Sequence, residues 1–310
     1  MNVSLGSTIL QALIGLFKTM RPKQWTKNVL FVFPAIIFDG KLFQLDSLIR
    51  VIIACLLLIL MSGTVYIIND LVDIEKDKQH PKKKNRPLPS GQLPIRLAQF
   101  AAVIIPLVTL SIAFVFDIGL FFVLVAYLII QVLYSFYLKH IVLLDVLTVT
   151  SGFVLRVLAG WIVIEAENFS PWLYACSALL ALFLAVGKRR QELVTLGEQA
   201  LQTRPIFKHY NLALLDDMLR VVITSTFLTY LVYTIEADIA TFRDIQLALL
   251  SVPFVLYGLF RYLYIIHVQG EGGAPDEVLL TDRPLQLAIV GWGITFLFLL
   301  YVLPMIWTAS

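Results

Sequence analysis

Apolar stretches of roughly bilayer-crossing length recur along the chain from residue 25 to residue 307, with short polar stretches between them. A spanning helix needs about 20 mostly apolar residues. On that measure nine spans are expected, at 25–43, 48–69, 93–116, 118–138, 141–164, 171–187, 213–235, 245–267 and 285–307. The first is the weakest, because Pro34 and Asp39 interrupt it. Pro106, Pro253 and Pro304 fall inside spans, a placement that membrane helices tolerate. Residues 1–22 lack a basic segment ahead of their apolar stretch and show no cleavage site, which argues against a signal peptide. They read as an amphipathic helix lying on the membrane.

Composition removes the alternative of two soluble domains. The 310 residues are 59% hydrophobic and 15% charged, against about 45–50% and about 25% in soluble domains. The expected architecture is therefore all-α: a single polytopic membrane domain over 1–310. No internal repeat is visible, which argues against a transporter, and nucleic acid is not an expected partner. Cys55 and Cys176 both sit in apolar runs, so neither a disulfide framework nor a metal-ligand spacing is present.

The net charge of +3 matters less than its distribution. Arg21, Lys23, Lys27, Lys76, Lys78, Lys82, Lys83, Lys84, Arg86, Lys139, Lys188, Arg189, Arg190, Arg204 and Lys208 fall in one alternate set of loops. Lys41, Arg50 and Arg243 are nearly all that the opposite set holds. The positive-inside rule places the first set and the N-terminus in the cytoplasm. The long loops 70–92 and 188–212 are then both cytoplasmic, in a protein of the cell membrane.

Candidate chemistry concentrates where the second span ends, at Asn69, Asp70, Asp73 and Asp77. On a continuing helix, steps of 100° put these four within an arc of roughly 100°, with Glu75 on the other side. Converging carboxylates repel unless a cation neutralises them. Oxygen-only ligands suit Mg²⁺, which is usually held by one or two carboxylates together with substrate phosphates. His80, Pro81, Lys82, Lys83, Lys84, Asn85, Arg86 and Pro87 follow, closing at Gly91. Lys84 and Arg86 are expected to bind phosphate oxygens. Lys82 and Lys83 fit that role or simple topology-setting contact with anionic lipid equally well.

Arg156 lies within the fifth span between Gly152 and Gly160, and an intramembrane arginine normally faces a polar cavity. Asp145 falls on almost the same helix face. Tyr134 and Lys139 end the fourth span, and Lys188, Arg189 and Glu192 end the sixth. Arg261 is expected to snorkel from the end of the eighth. His140, His209 and His267 stand alone and read as structural. His80 would join the acidic face if the helix reached it.

The run Asn69-Asp70-x-x-Asp73-x-x-x-Asp77, with His80-Pro81, Arg86-Pro87 and Gly91, resembles the first aspartate-rich motif of the UbiA superfamily. Those are nine-helix intramembrane prenyltransferases. The resemblance implies helices around a central cavity open to the cytoplasm, with Mg²⁺ on a substrate diphosphate and a polyprenyl chain between helices. Most members carry a second acidic motif at the end of the sixth span, where this chain has Lys188-Arg189-Arg190-Gln191-Glu192. Arg21-Pro22-x-x-Trp25-x-Lys27-Asn28, Leu138-Lys139, Asp145, Ser151-Gly152-Phe153 with Arg156, and Lys188-Arg189 resemble the decaprenyl-phosphate phosphoribosyltransferase branch.

That branch joins a polyprenyl monophosphate to 5-phosphoribosyl diphosphate (PRPP) and releases diphosphate. The resemblance implies Asn69, Asp73 and Asp77 on Mg²⁺ and the diphosphate, with Asp70 behind them. Lys84 and Arg86 would take diphosphate oxygens, and Lys139, Lys188 and Arg189 the remaining phosphates. Lys27, Tyr134 and Arg156 complete the expected substrate contacts. The runner-up is prenyl transfer to an aromatic or isoprenoid acceptor.

Overall fold

The computed structural model describes residues 5–79, 83–167, 170–197, 205–237, 241–242, 245–269, 278–279 and 281–309. His80, Lys82, Arg204 and Arg243 lie outside them. Eight described helical segments are long and apolar enough to cross a membrane. The remaining regular structure is short helices, 3₁₀ and π turns, and a two-residue β-ladder pairing Thr241–Phe242 with Ile245–Gln246.

The chain divides into two compact units. Unit 1 comprises 1–139 and 155–167; unit 2 comprises 140–154 and 168–310. Unit 1 opens with α1 (Leu5–Thr19), α2 (Thr26–Val32) and α3 (Pro34–Phe38). The segment expected as the first span is thus a pair broken at Pro34. Its helical stretch Thr26–Phe38, 13 residues long, would rise only about 20 Å as one helix, short of a bilayer core. The long α4 (Leu45–Val72) and short α5 (Ile74–Gln79) follow, then α6 (Ile95–Phe116) and α7 (Ile118–Phe136). Asp117 starts α7 by accepting a hydrogen bond from the Leu120 amide at 2.9 Å.

The helix α8 (Leu144–Val163) contributes its first part to unit 2 and its second part to unit 1. In unit 1 its buried Ala159 and Val163 pack in one core with Val32 and Ile36, with Leu57, Leu58 and Met61 of α4, and with Leu120 and Leu124 of α7. Gly160 makes that approach possible: a Cβ there would stand 2.2 Å from the Val32 carbonyl oxygen.

Unit 2 continues with α9 (Pro171–Leu196) and α10 (Leu212–Glu236), capped by Ser170 and Asn211. After them come α11 (Val252–Tyr264), a π turn Ile265–Gln269, α12 (Arg283–Leu297) and α13 (Leu303–Ala309). Its core joins Val146, Phe183, Val186, Leu215, Leu219 and Tyr262. Asp282 caps α12 and pairs with Arg261 at 2.8 Å, so that arginine is held by an acid as well as reaching the end of its span. Large apolar side chains face outward along the spans, among them Phe100, Leu107, Val115, Phe122, Val221 and Leu287. Water would penalise such a surface, whereas lipid tails accept it. The protein is an integral, multi-pass membrane protein.

Candidate active site

The end of α4 and the turn that follows α5 build the principal cluster, entirely within unit 1. The helix α4 stops at Val72, and Asp73 caps it with φ −96° and ψ 9°. The continuous helix expected through this segment is therefore broken at its middle aspartate. Asp70 and Asp77 nevertheless come together. Both are buried, and one nitrogen of Arg86 donates to both: Nη1 lies 3.1 Å from Asp70 Oδ1 and 2.6 Å from Asp77 Oδ2.

Local folding explains how Arg86 gets there. A 3₁₀ turn, Lys83–Asn85, leads into Arg86, whose amide bonds to the Lys83 carbonyl at 2.9 Å. Gly91 then reverses the chain with φ +79°, in the left-handed region that glycine adopts without cost. Buried Leu88 and Leu93 anchor the loop against Met20 and Ile67.

Three further cations meet these acids. Arg21 Nη2 donates to Asp70 Oδ1 at 2.7 Å, and its guanidinium lies over the Tyr66 ring at 4.5 Å. Lys139 Nζ bonds both oxygens of Asp73, at 3.0 and 3.1 Å. Lys83 Nζ approaches Asp77 Oδ1 at 3.7 Å. Arg21 has φ +54°, a left-handed conformation costly for a side-chain-bearing residue and typical of functional sites.

Asn69 is half-buried beside the cluster, and Glu75 points outward to pair with Lys78, as expected. Lys84, expected in the site, is exposed on the 3₁₀ turn, and its neighbour Lys83 is the lysine that reaches an acid.

Arg156 occupies a second polar island of unit 1. It is buried, donating to Asn28 Oδ1 at 2.7 Å and to the Tyr127 hydroxyl at 2.8 Å, with its guanidinium 4.9 Å from the Tyr127 ring centre. Asn28 in turn donates to Ser62 at 3.3 Å. Lys27 and Tyr134 are half-buried.

Unit 2 has its own network. Asp145 is fully buried, accepting from Arg189 Nε at 2.6 Å and from the Tyr210 hydroxyl at 2.7 Å. Arg189 also reaches Glu192 at 3.2 Å, and Arg190 pairs with Asp216 at 2.5 Å. Lys188 is exposed. The Tyr210 hydroxyl accepts from the Leu143 amide, which stabilises that residue's left-handed backbone, φ +67°.

Burial, reinforced by the bond to Asp145, pushes the Tyr210 phenol up to about 12. Its neutral form is thus favoured by folding, and stability should fall as pH rises from about 10, where a free tyrosine ionises, towards 12. Melting curves across that range should show a steeper alkaline loss in the wild type than in Tyr210→Phe.

Tyr66, Tyr127 and Tyr210 have no role in the sequence reading, Arg21 and Asn28 enter it only as motif residues, and Lys83 fits phosphate binding or lipid contact equally well there. The available signal was the need of each buried charge for a partner. Arg156 in particular demanded polar groups on neighbouring spans.

The donor set near α4 suits a hard divalent ion. Among the described residues no three His, Cys, Asp or Glu side chains form a metal-holding group. Two buried carboxylates facing one nitrogen still match Mg²⁺, which takes one or two carboxylates and completes its shell with phosphate and water. The residues present fit the ion in that limited form.

Eight spans and a carboxylate–cation cluster at the end of one of them define an integral membrane enzyme. The chain belongs to the UbiA prenyltransferase family, whose model matches residues 29–274, and it is a transferase. It is 31% identical to the decaprenyl-phosphate phosphoribosyltransferase of Corynebacterium glutamicum, over 94% of this chain and 88% of that one. The Mycobacterium tuberculosis protein of the same name is 30% identical, over 90% of this chain and 91% of that one. The fold is similar to that of a UbiA homologue from Archaeoglobus fulgidus bound to DMAPP and Mg²⁺. That match has a TM-score of 0.67 and 17% identity, and covers 93% of this chain and 99% of that one.

Proposed function

We propose that the protein transfers 5-phosphoribose from PRPP to a polyprenyl monophosphate of the decaprenyl type, with Mg²⁺, and releases diphosphate. The observation that carries this reading is the unit 1 cluster, in which Asp70, Asp73 and Asp77 are met by Arg21, Lys83, Arg86 and Lys139. Four cations against three carboxylates leave capacity for an anion. The relatives named as phosphoribosyltransferases point to the same substrates.

The chemistry is a displacement at the anomeric carbon. An oxygen of the acceptor phosphate bonds to that carbon, and the bond from carbon to the diphosphate oxygen breaks, with the electron pair leaving on diphosphate. The acceptor is already an anion, so no strong general base is required.

Asp73 and Asp77, with Asn69 and Asp70, would hold Mg²⁺, which when bound neutralises charge on the departing diphosphate. Arg86 donates a planar fork to diphosphate oxygens, and Lys84 supplies a mobile charge from the exposed turn. Lys139 carries a substrate phosphate. In unit 2, exposed Lys188 is the candidate phosphate contact, while Arg189, engaged by Asp145 and Glu192, supports the end of α9. Arg156, Lys27 and Tyr134 serve the lipid phosphate. The weight of Lys and Arg in one set of loops supports a cytoplasmic site and a cytoplasmic N-terminus.

Purified protein given PRPP labelled in its diphosphate should release labelled diphosphate only with both Mg²⁺ and polyprenyl phosphate present. Release that ignores the lipid would refute the proposed acceptor.

A further inference from the structure

Each carboxylate of the α4–α5 cluster already has a protein cation. Arg86 does most: its Nη1 lies between Asp70 and Asp77, whose side chains are only 2% and 3% exposed. Asp70 Oδ1 also accepts from Arg21, and Asp73 is held by Lys139. A divalent cation arriving alone would have to displace the guanidinium from both buried acids. It would then add two positive charges to a cluster whose four cations already outnumber its three carboxylates, an arrangement that Coulomb repulsion opposes at low dielectric.

A diphosphate changes that balance, because its oxygens are strong acceptors for a guanidinium fork. Resting on the reading of this cluster as a cation–diphosphate site, we infer that Arg86 is a place-holder. It neutralises Asp70 and Asp77 in the free protein and transfers its hydrogen bonds to diphosphate when diphosphate and cation arrive together.

The exchange replaces two contacts with two. Carboxylates pass from guanidinium to the divalent ion, and the guanidinium passes from carboxylates to phosphate oxygens. Bare cation is thereby kept out, and cation and diphosphate strengthen each other's binding. Such coupling is reciprocal and typically amounts to about 5–150-fold. The inference concerns the diphosphate half of the substrate and is indifferent to whether ribose or a prenyl group carries it.

The test is direct binding by the full chain in detergent. Mn²⁺ serves as the ion, inorganic diphosphate as the anion, and Mn²⁺ retained with the protein on ultrafiltration as the readout. Wild type should bind Mn²⁺ at least about 10-fold more tightly with diphosphate than without it. Arg86→Gln, with the place-holder removed, should bind Mn²⁺ alone about 10-fold more tightly than wild type and show little further gain from diphosphate. Arg86→Lys, which keeps the charge but loses the fork, should fall between them and serves if the glutamine variant does not fold.

Wild type binding Mn²⁺ equally well with and without diphosphate would overturn the inference while leaving the cation site intact. No retained Mn²⁺ under any condition would remove the site reading and the inference together.

Discussion

Replacing Asp73 with asparagine is expected to reduce turnover by at least about 100-fold while the protein still folds in detergent. Supporting contacts around metal ligands are typically worth 10–100-fold, and loss of a ligand charge should exceed that. Stability should change by no more than about 1 kcal/mol, because the Asp73–Lys139 pair is partly solvated. The helix cap also survives, since the Asp73 backbone amide bonds to the Asn69 carbonyl at 3.0 Å whatever the side chain. Initial rates and melting temperatures measured on the same preparation separate the two effects. Turnover close to wild type would remove Asp73 from the metal site.

Asp145→Ala is expected to act in the opposite way, on the fold. Asp145 is fully buried, and the side chain of its partner Arg189 is 5% exposed. Removing one member of a buried, hydrogen-bonded pair leaves the other charge unpaired, at a cost of about 3–5 kcal/mol. Tyr210 also loses its acceptor, and the Leu143 turn loses the support that Tyr210 gives it. Thermal aggregation in detergent should begin well below the wild-type temperature. The double variant Asp145→Asn with Arg189→Gln should recover part of the loss, because no unpaired charge is then buried. A single alanine variant as stable as wild type would show that water reaches this pair.

Much of the fold was readable because lipid imposes a long, uninterrupted apolar run on each span. The least regular segment, 25–43, is also the one that Pro34 and Asp39 mark as weak, and it divides into α2 and α3 at the proline. The acidic motif was legible in identity and in its burial against a span. Its shape was not, since a helix break at Asp73 depends on packing that no 100° projection contains.

The partners of the charges were the least visible part. Arg21 and Asp70 are 49 residues apart, and Arg156 and Asn28 are 128 apart. Contacts at such separations follow from the fold and leave no local spacing to read. Lys84 and Lys83 illustrate the limit at short range. One residue of offset on a 3₁₀ turn decides which ammonium faces Asp77 and which faces outward.

The most direct test of the account is a choice of donors. Purified protein in detergent, with Mg²⁺ and a polyprenyl monophosphate, is offered ribose-labelled PRPP or, separately, a labelled prenyl diphosphate with aromatic acceptors. Lipid-linked label is expected from PRPP alone, abolished by EDTA. Label moving only from the prenyl diphosphate would contradict it and place the protein among the prenyl-transferring members of its family.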